Sequence, residues 1–256
     1  MGRLLRALLI GLCLSFLVFV GISANYPLDP VMDNTDKFDR RYHLTSSFPF
    51  VASSLLLVPR NYDPNRVYPL VLALHGGYKR SAGAFVAAQD KVQQRYEAFV
   101  VMPMALLGEP WVAPNAAGSA MGPSKSLSLA MEILKEVVSE YSIDHSRVYV
   151  TGSSNGAVGT FAAMVFYPDT FAAGIPVNGW WYIEDARTLS SFNLAIYHGE
   201  EDPLSAVGRM RELVASIRAA GGRPKFIEMS KVGHDSWPAY RQPALWDWLF
   251  SQRLGR

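Results

Sequence analysis

Residues 148–157 read Val148-Tyr149-Val150-Thr151-Gly152-Ser153-Ser154-Asn155-Gly156-Ala157. An apolar, β-rich run leads into a Gly-x-Ser-x-Gly pattern, and a helical pattern begins at Asn155. Glycines on both sides of the serine permit a strained turn, because side chains there would clash with neighbouring backbone. The turn would expose the hydroxyl of Ser154 at a helix N-terminus, which favours developing negative charge. We predict Ser154 as a nucleophile; the alternatives are Ser153 or a glycine-rich turn with a capping serine.

A second stretch, further along the chain, supplies a base. It reads Gly233-His234-Asp235-Ser236-Trp237 and lies between the last predicted strand and the last predicted helix. A serine hydroxyl is a poor nucleophile at neutral pH unless a base takes its proton. We predict that His234 is this base, because it follows both the serine and the acid; the alternative is a solvated surface histidine.

The acid comes from the stretch His198-Gly199-Glu200-Glu201-Asp202, which follows an apolar strand. Asp202 is our prediction, because of its offset from the strand end. Glu200 and Glu201 compete with it, and a turn or helix-capping role for Asp202 is the alternative. Asp235 is disfavoured because it adjoins His234 in sequence. The predicted triad thus has the chain order Ser154, Asp202, His234.

An oxyanion needs two preorganised N–H donors. We predict that one comes from Asn155, directly after the nucleophile. The other is expected from the loop His75-Gly76-Gly77-Tyr78, with Gly77 as the first choice and Tyr78 as the second. His75 is expected to support this loop through hydrogen bonds.

Short β-rich runs alternate with longer helical patterns along the body of the chain. The predicted strands are 41–47, 52–58, 69–75, 97–102, 147–151, 173–178, 193–198 and 224–230. The predicted helices are 81–94, 124–141, 155–166, 205–220 and 242–253. This order predicts an α/β fold, with a mostly parallel eight-stranded sheet and helices on both faces.

The substrate pocket is expected to be open. Only about a dozen residues separate Val177 from Phe192, which leaves no room for a large lid. The longest irregular stretch, 103–124, is expected to form one pocket wall. Deleting or shortening residues 104–122 is therefore expected to change substrate preference while folding stays intact. Four tryptophans are candidates for the pocket or, alternatively, for half-buried packing: Trp111, Trp180, Trp181 and Trp237.

Composition excludes several classes of function. The chain has 256 residues, a formal net charge of +2 and a charged fraction of 18%, with no basic stripe. Nucleic acid is therefore not an expected partner. The single cysteine, Cys13, lies in the N-terminal apolar stretch, and the five histidines form no His-x-x-x-His pair. We therefore expect no disulfide, thiol chemistry or metal site in the body.

The N-terminal segment has the character of a leader. Arg3 and Arg6 precede a long apolar run that ends near Ala24, so residues 1–24 are predicted to be a secretory signal peptide or an uncleaved membrane anchor. A connector is predicted at 25–40 and one domain at 41–256. The domain is expected outside the cytoplasm, either secreted or periplasmic; membrane association is expected only if the apolar segment stays uncleaved.

These stretches, together with Tyr68 to Gly77 and the ending Leu245-Trp246-Asp247-Trp248-Leu249-Phe250, resemble α/β-hydrolase esterases of the feruloyl esterase and polyhydroxybutyrate-depolymerase type. The resemblance implies a secreted serine carboxylesterase without a cofactor. It assigns the triad to Ser154, Asp202 and His234, and it implies a small-molecule or polymer-attached ester as substrate. A serine peptidase of the same fold and a non-catalytic binding module remain the alternatives.

Overall fold

The computed structural model describes residues 35–45, 51–77, 81–106, 109–114 and 120–255. Asn34–Arg256 form one compact unit. The predicted leader and most of the predicted connector lie outside the described residues. Within the described part of the chain, no helix is both long enough and apolar enough to cross a membrane.

The central feature of this unit is an eight-stranded sheet. Its spatial order is β1-β2-β4-β3-β7-β8-β9-β10. Its strands are β1 (Asp39–Leu44), β2 (Val51–Leu57), β3 (Tyr68–Leu74), β4 (Phe99–Pro103), β7 (Ile143–Ser153), β8 (Ala173–Val177), β9 (Ala195–Gly199) and β10 (Lys225–Met229). Each of the eight predicted strands overlaps one of these.

The strand directions give a mostly parallel sheet. β2 pairs antiparallel with both β1 and β4, and the pairs from β4 to β10 are parallel. β3, β4, β8 and β9 are buried along their entire lengths, so both faces of the sheet are covered. The predicted fold class is therefore confirmed, including the absence of a large lid between β8 and β9.

Helices connect the parallel strands, and two more follow the last strand. They are α1 (Ala82–Ala87), α2 (Asp90–Tyr96), α3 (Lys125–Glu140), α4 (Asn155–Phe166), α5 (Ala186–Leu189), α6 (Val207–Ala219), α7 (Trp237–Tyr240) and α8 (Pro243–Ser251). Short 3₁₀ turns occur at Thr35–Lys37 and Ile183–Asp185. The predicted helix 81–94 is wrong as a single element, because Gln89 is extended, with φ −64° and ψ 142°, and separates α1 from α2.

The stretch 103–124, predicted to be irregular, contains a small second sheet. β5 (Val112–Pro114) and β6 (Ala120–Pro123) pair antiparallel as a two-stranded ribbon. The ribbon packs against α4, the helix that follows Ser154. It therefore lies beside the candidate site.

Candidate active site

Ser154 occupies a strained turn between β7 and α4. Its φ is +56°, a left-handed value that a residue with a side chain seldom adopts. Its backbone N–H donates to the carbonyl oxygen of Val177 at 2.9 Å, which ties the turn to the end of β8. The strain accompanies a serine at the carboxyl edge of the parallel strands, where α/β folds place their sites.

The glycines on either side of Ser154 are required by close packing. A Cβ on Gly152 would lie 2.3 Å from the carbonyl oxygen of Gly156, and a Cβ on Gly156 would lie 2.1 Å from that of Leu74. Neither distance is tolerable against backbone atoms. The turn can therefore form only because both positions lack a side chain.

The structure brings the predicted acid and base together. Nδ1 of His234 lies 2.7 Å from Oδ2 of Asp202, although 32 positions separate the two residues. The side chain of Asp202 is fully buried, whereas that of His234 is 21% exposed. A carboxylate accepting at Nδ1 leaves Nε2 as the nitrogen available for proton transfer.

The two oxygens of Asp202 have separate partners. Oδ1 accepts the backbone N–H groups of Leu204 and Ser205, each at 2.9 Å. Burial acts to raise the pKa of Asp202, but the hydrogen bonds from His234, Ser205 and Leu204 outweigh it and hold the pKa below its ordinary value. Asp202 is thus an ionised carboxylate that fixes its own turn and also binds the imidazole.

The competing acids lie elsewhere. Glu200 and Glu201 are exposed to solvent. Asp235 is also exposed, and it accepts the backbone N–H of Trp237 at 3.0 Å. Of these four candidates, Asp202 is the one that the structure places against His234.

Ser154 and His234 border one open cavity of about 300 Å³. Direct proton transfer from Ser154 to His234 requires the two side chains to come within hydrogen-bonding distance. In enzymes this distance often shortens only when substrate binds. The cavity is lined by Pro110, Val112, Ser154, Asn155, Val158, Asn178, Trp180, Leu204, Ser205 and His234. The stretch 103–124 thus borders the cavity through Pro110 and Val112.

The four candidate tryptophans have different environments. Trp180 lines the cavity and is 36% exposed. Trp111 is fully buried, and its indole N–H donates to the carbonyl oxygen of His75 at 2.8 Å. Trp181 is buried, and its indole N–H donates to Asp185. Both are core residues and neither lines this cavity, which agrees with the packing role that the sequence left as the alternative; Trp181 borders a separate cavity beside Trp180. Trp237 is half-buried at the start of α7 and does not line this cavity.

The loop after β3 lies against the serine turn. A Cβ on Gly76 would be 2.8 Å from the carbonyl oxygen of Ser153 and 3.5 Å from Cβ of Ser154. Gly77 follows in an exposed position, where an added Cβ would meet no atom of the described residues within 4 Å, and Tyr78 lies outside the described part of the chain. Asn155 lines the cavity. The backbone N–H groups of this loop and of Asn155 are candidates for an oxyanion hole, as the sequence predicted.

His75 supports the same loop from inside the protein. Its Nδ1 lies 2.9 Å from the carbonyl oxygen of Gly76, and its Nε2 lies 3.0 Å from the backbone N–H of Ala105. The carbonyl needs a donor and the N–H needs an acceptor, so the proton resides on Nδ1. His75 therefore joins the β3 loop to the segment that follows β4.

Sequence reasoning missed Asn178, which lines the cavity at the end of β8. Its φ is +53°, and its Oδ1 accepts the backbone N–H of Gly199 at 2.8 Å. The side chain of Asn178 thus links the end of β8 to the end of β9, the strand that leads to Asp202. An asparagine directly after an apolar strand was the available signal, because asparagine tolerates a left-handed backbone better than most residues.

No group of His, Cys, Asp and Glu residues in the described part of the chain has the arrangement to hold a metal ion. A serine, an imidazole and a buried carboxylate at one cavity are the components of nucleophilic acyl transfer.

Comparisons with known proteins find a peptidase family, a polymer depolymerase and esterases. Residues 125–206 match the prolyl oligopeptidase family. Poly(3-hydroxyalkanoate) depolymerase C of Paucimonas lemoignei is 32% identical over 130 residues, which cover 48% of this chain and 31% of the depolymerase. Feruloyl esterase B of Talaromyces funiculosus is 48% identical over 61 residues, which cover 24% of this chain and 17% of that esterase. A solved thermostable esterase is 29% identical, with a TM-score of 0.78 over 86% of this chain and 64% of the esterase.

The chain has the α/β-hydrolase fold. The resemblance to feruloyl esterases and polyhydroxyalkanoate depolymerases is confirmed by these relatives. The matched regions span less than a third of the length of the two named enzymes. The similarity therefore shows that the chain resembles α/β-hydrolase esterases, and the residues at the candidate site bear on its activity.

Proposed function

We propose that this protein is a serine carboxylesterase. The observation that carries the proposal is the 2.7 Å hydrogen bond between Asp202 and His234, at a cavity that Ser154 also borders. An imidazole oriented by a buried carboxylate is the base that a serine hydroxyl requires.

In the proposed reaction, Oγ of Ser154 attacks the carbonyl carbon of the ester, and its proton passes to Nε2 of His234. The backbone N–H groups of Asn155 and of Gly77 or Tyr78 stabilise the resulting oxyanion. The tetrahedral intermediate collapses, His234 protonates the departing alcohol, and the acyl group remains on Ser154. A water molecule that His234 deprotonates then attacks the acyl-enzyme, which releases the acid and regenerates the serine.

Asp202 stabilises the imidazolium that forms in both steps and does not accept the proton itself. Its lowered pKa supports this role, because the carboxylate stays ionised wherever the imidazole is active.

The substrate is proposed to be a small-molecule ester or an ester attached to a polymer. The cavity is open, and Trp180 and Leu204, which line it, are 36% and 77% exposed. An apolar, accessible border of this kind accepts the acyl or alcohol portion of an ester without requiring closure of a lid. Relatives named as a feruloyl esterase and as a polyhydroxyalkanoate depolymerase support the same class.

A serine peptidase is the second candidate. The match of residues 125–206 to the prolyl oligopeptidase family favours it, and the same triad can cleave amides. Esterase remains our first proposal because a relative and a solved structure similar to this chain are named as esterases.

The domain is proposed to act outside the cytoplasm. The support is the sequence of residues 1–24, in which two arginines precede a long apolar run. Cleavage of this leader would give a secreted or periplasmic enzyme, and retention would give a membrane-anchored one. The N-terminal sequence of the exported protein distinguishes the two.

A fluorophosphonate probe tests the proposed nucleophile. We expect covalent labelling of the native protein and of Ser153→Ala, and none of Ser154→Ala. Ser153 is the matched control, because it adjoins the nucleophile and ends β7. Absence of labelling in folded native protein would favour a non-catalytic binding module.

A panel of p-nitrophenyl esters and peptide p-nitroanilides tests the bond that is cleaved. We expect kcat/KM for the best ester to exceed that for every anilide. The reverse order would identify the protein as a peptidase.

A further inference from the structure

His198 is the next-to-last residue of β9, the strand that leads to Asp202. The proposed mechanism does not use it. Its side chain is fully buried at the end of β9, and it does not line the catalytic cavity. A buried imidazole next to a catalytic carboxylate requires an explanation, because burying a polar group is costly unless its hydrogen bonds are satisfied.

One nitrogen of His198 faces the turn that carries the acid. Nε2 lies 2.6 Å from the carbonyl oxygen of Ser205 and 3.6 Å from Oδ2 of Asp202. The carbonyl oxygen can only accept, so Nε2 carries the proton and donates it. Nδ1 is buried and has no hydrogen-bond partner within the described part of the chain. Within the described part of the chain, the bond to Ser205 is therefore the one hydrogen bond that this imidazole makes.

That bond completes a closed set of contacts around residues 202–205. Oδ1 of Asp202 accepts the N–H groups of Leu204 and Ser205, and the hydroxyl of Ser205 donates to the carbonyl oxygen of Gly179 at 2.9 Å. His198 holds the remaining polar group of Ser205, its carbonyl oxygen. Without His198 this carbonyl would lose its partner, and the turn that aims Oδ2 at His234 would be free to shift.

We propose that His198 is a positioning residue, which holds the turn 202–205 so that Asp202 meets His234. The proposal rests on the proposed function for its effect on turnover, but the geometry it concerns can be observed without turnover. Displacements of about 1 Å at a catalytic group can lower rates about 100-fold, so a residue that only anchors the acid has a measurable effect.

The test compares His198→Phe with His198→Gln. Phenylalanine fills the buried site without a donor, whereas glutamine extends an N–H about as far as Nε2. We expect His198→Phe to lower kcat for the best ester about 10- to 100-fold and His198→Gln to restore most of it. We also expect the downfield proton resonance of the His234–Asp202 hydrogen bond to move or broaden in His198→Phe and to return in His198→Gln.

His43→Phe is the matched control. His43 is also a buried histidine, 3% exposed, whose nitrogens bond Glu136 and Ser54, but it lies on the edge strand β1. The His43→Phe variant should unfold at a lower temperature than the native protein, while kcat and the proton resonance of the His234–Asp202 hydrogen bond stay unchanged. A His198→Phe variant that behaves like this control would overturn the proposal.

Two further outcomes are decisive. Should His198→Phe fail to fold, His198→Asn replaces it, because the shorter amide of asparagine does not reach the carbonyl of Ser205. Equal kcat values for His198→Asn and His198→Gln would then overturn the proposal. A His198→Gln variant that does not fold would also overturn it. If the native protein shows no esterase activity, the proposed function fails, and the resonance alone decides whether His198 positions Asp202.

Discussion

The carboxylate of Asp202 divides its two oxygens between the backbone of its own turn and the imidazole of His234. A replacement that keeps the shape but removes the charge separates the two functions. The amide of asparagine can still accept the backbone N–H groups, but it cannot hold His234 in the same tautomer and stabilise the imidazolium.

We therefore predict that Asp202→Asn lowers kcat by roughly 10³- to 10⁴-fold while the protein remains folded. Steady-state kinetics on the best p-nitrophenyl ester, with circular dichroism as a check of folding, measure this. Glu201→Gln is the control, because Glu201 is exposed one position earlier, and it should keep kcat within about twofold. A comparable loss in both variants would remove Asp202 as the specific acid.

The glycines of the serine turn lead to a prediction about stability. A Cβ on Gly152 would overlap the carbonyl of Gly156, so the chain would have to move the turn or fail to fold. We expect Gly152→Ala to lower the free energy of unfolding by about 1–3 kcal/mol or more. A Cβ on Gly77 would meet no atom of the described residues within 4 Å, so Gly77→Ala should leave the melting temperature unchanged. Equal melting temperatures for the two variants would contradict the steric argument.

The segment formed by Trp111 and the β5–β6 ribbon that follows it contains both a core residue and part of the cavity wall. Trp111 is buried against Gly159 of α4 and holds the carbonyl of His75, whereas Val112 faces the cavity. The expectation that residues 104–122 can be removed without loss of folding is therefore not supported by this packing. Their removal would expose the core and free the loop that carries the candidate oxyanion donors.

Single substitutions separate these roles. We expect Trp111→Ala to lower the free energy of unfolding by about 3–5 kcal/mol, the typical cost of truncating a buried aromatic. Trp180→Ala should change the ratio of kcat/KM between short and long acyl esters, with a loss of stability below about 1 kcal/mol. Chemical denaturation and an acyl-chain-length series measure the two effects. A stable Trp111→Ala variant with altered acyl preference would restore Trp111 to the pocket.

Elements buried on both faces could be predicted from the sequence because burial leaves a continuous apolar run, as in β3 and β4. The β5–β6 ribbon could not be predicted from the sequence in this way. β5 and β6 are only three and four residues long, and each ends in a proline, so they carry neither an apolar run nor an alternating pattern. Their pairing depends on tertiary contact with α4, which no local pattern encodes.

At the scale of the whole domain, the sequence predicts those residues of the candidate site whose position follows from the order of the strands. Ser154, Asp202 and the β3 loop all follow parallel strands, and such strand ends meet at one edge of a sheet. The supporting residues could not be predicted in the same way. Asn178 and His198 act through side-chain contacts with the neighbouring strand end or turn, and these contacts depend on the three-dimensional register.

Asp144 lies near the start of the central strand, β7, and its hydrogen bonds there make the stability of the domain depend on pH. Asp144 accepts from Ser146 and Arg147 near the start of β7 and from Arg253 after α8. Burial acts to raise the pKa of Asp144, but the hydrogen bonds from Ser146 and Arg147 dominate and hold the pKa well below its ordinary value. A carboxylate with a depressed folded-state pKa stabilises the fold above its unfolded pKa, about 3.9, and this contribution is lost as the pH falls toward the folded value.

We therefore predict that Asp144→Asn lowers the free energy of unfolding at pH 7 by about 1–3 kcal/mol. The gap in the free energy of unfolding between native and variant protein should narrow as the pH falls below about 4, because Asp144 then becomes protonated in the unfolded native chain, which stabilises the unfolded state. Urea denaturation at pH 7, 5, 4 and 3 measures the gap, and Asp169→Asn, an exposed carboxylate, should show almost none at any of them. A gap that stays constant down to pH 3 would mean that shape rather than charge at Asp144 joins the chain end to β7.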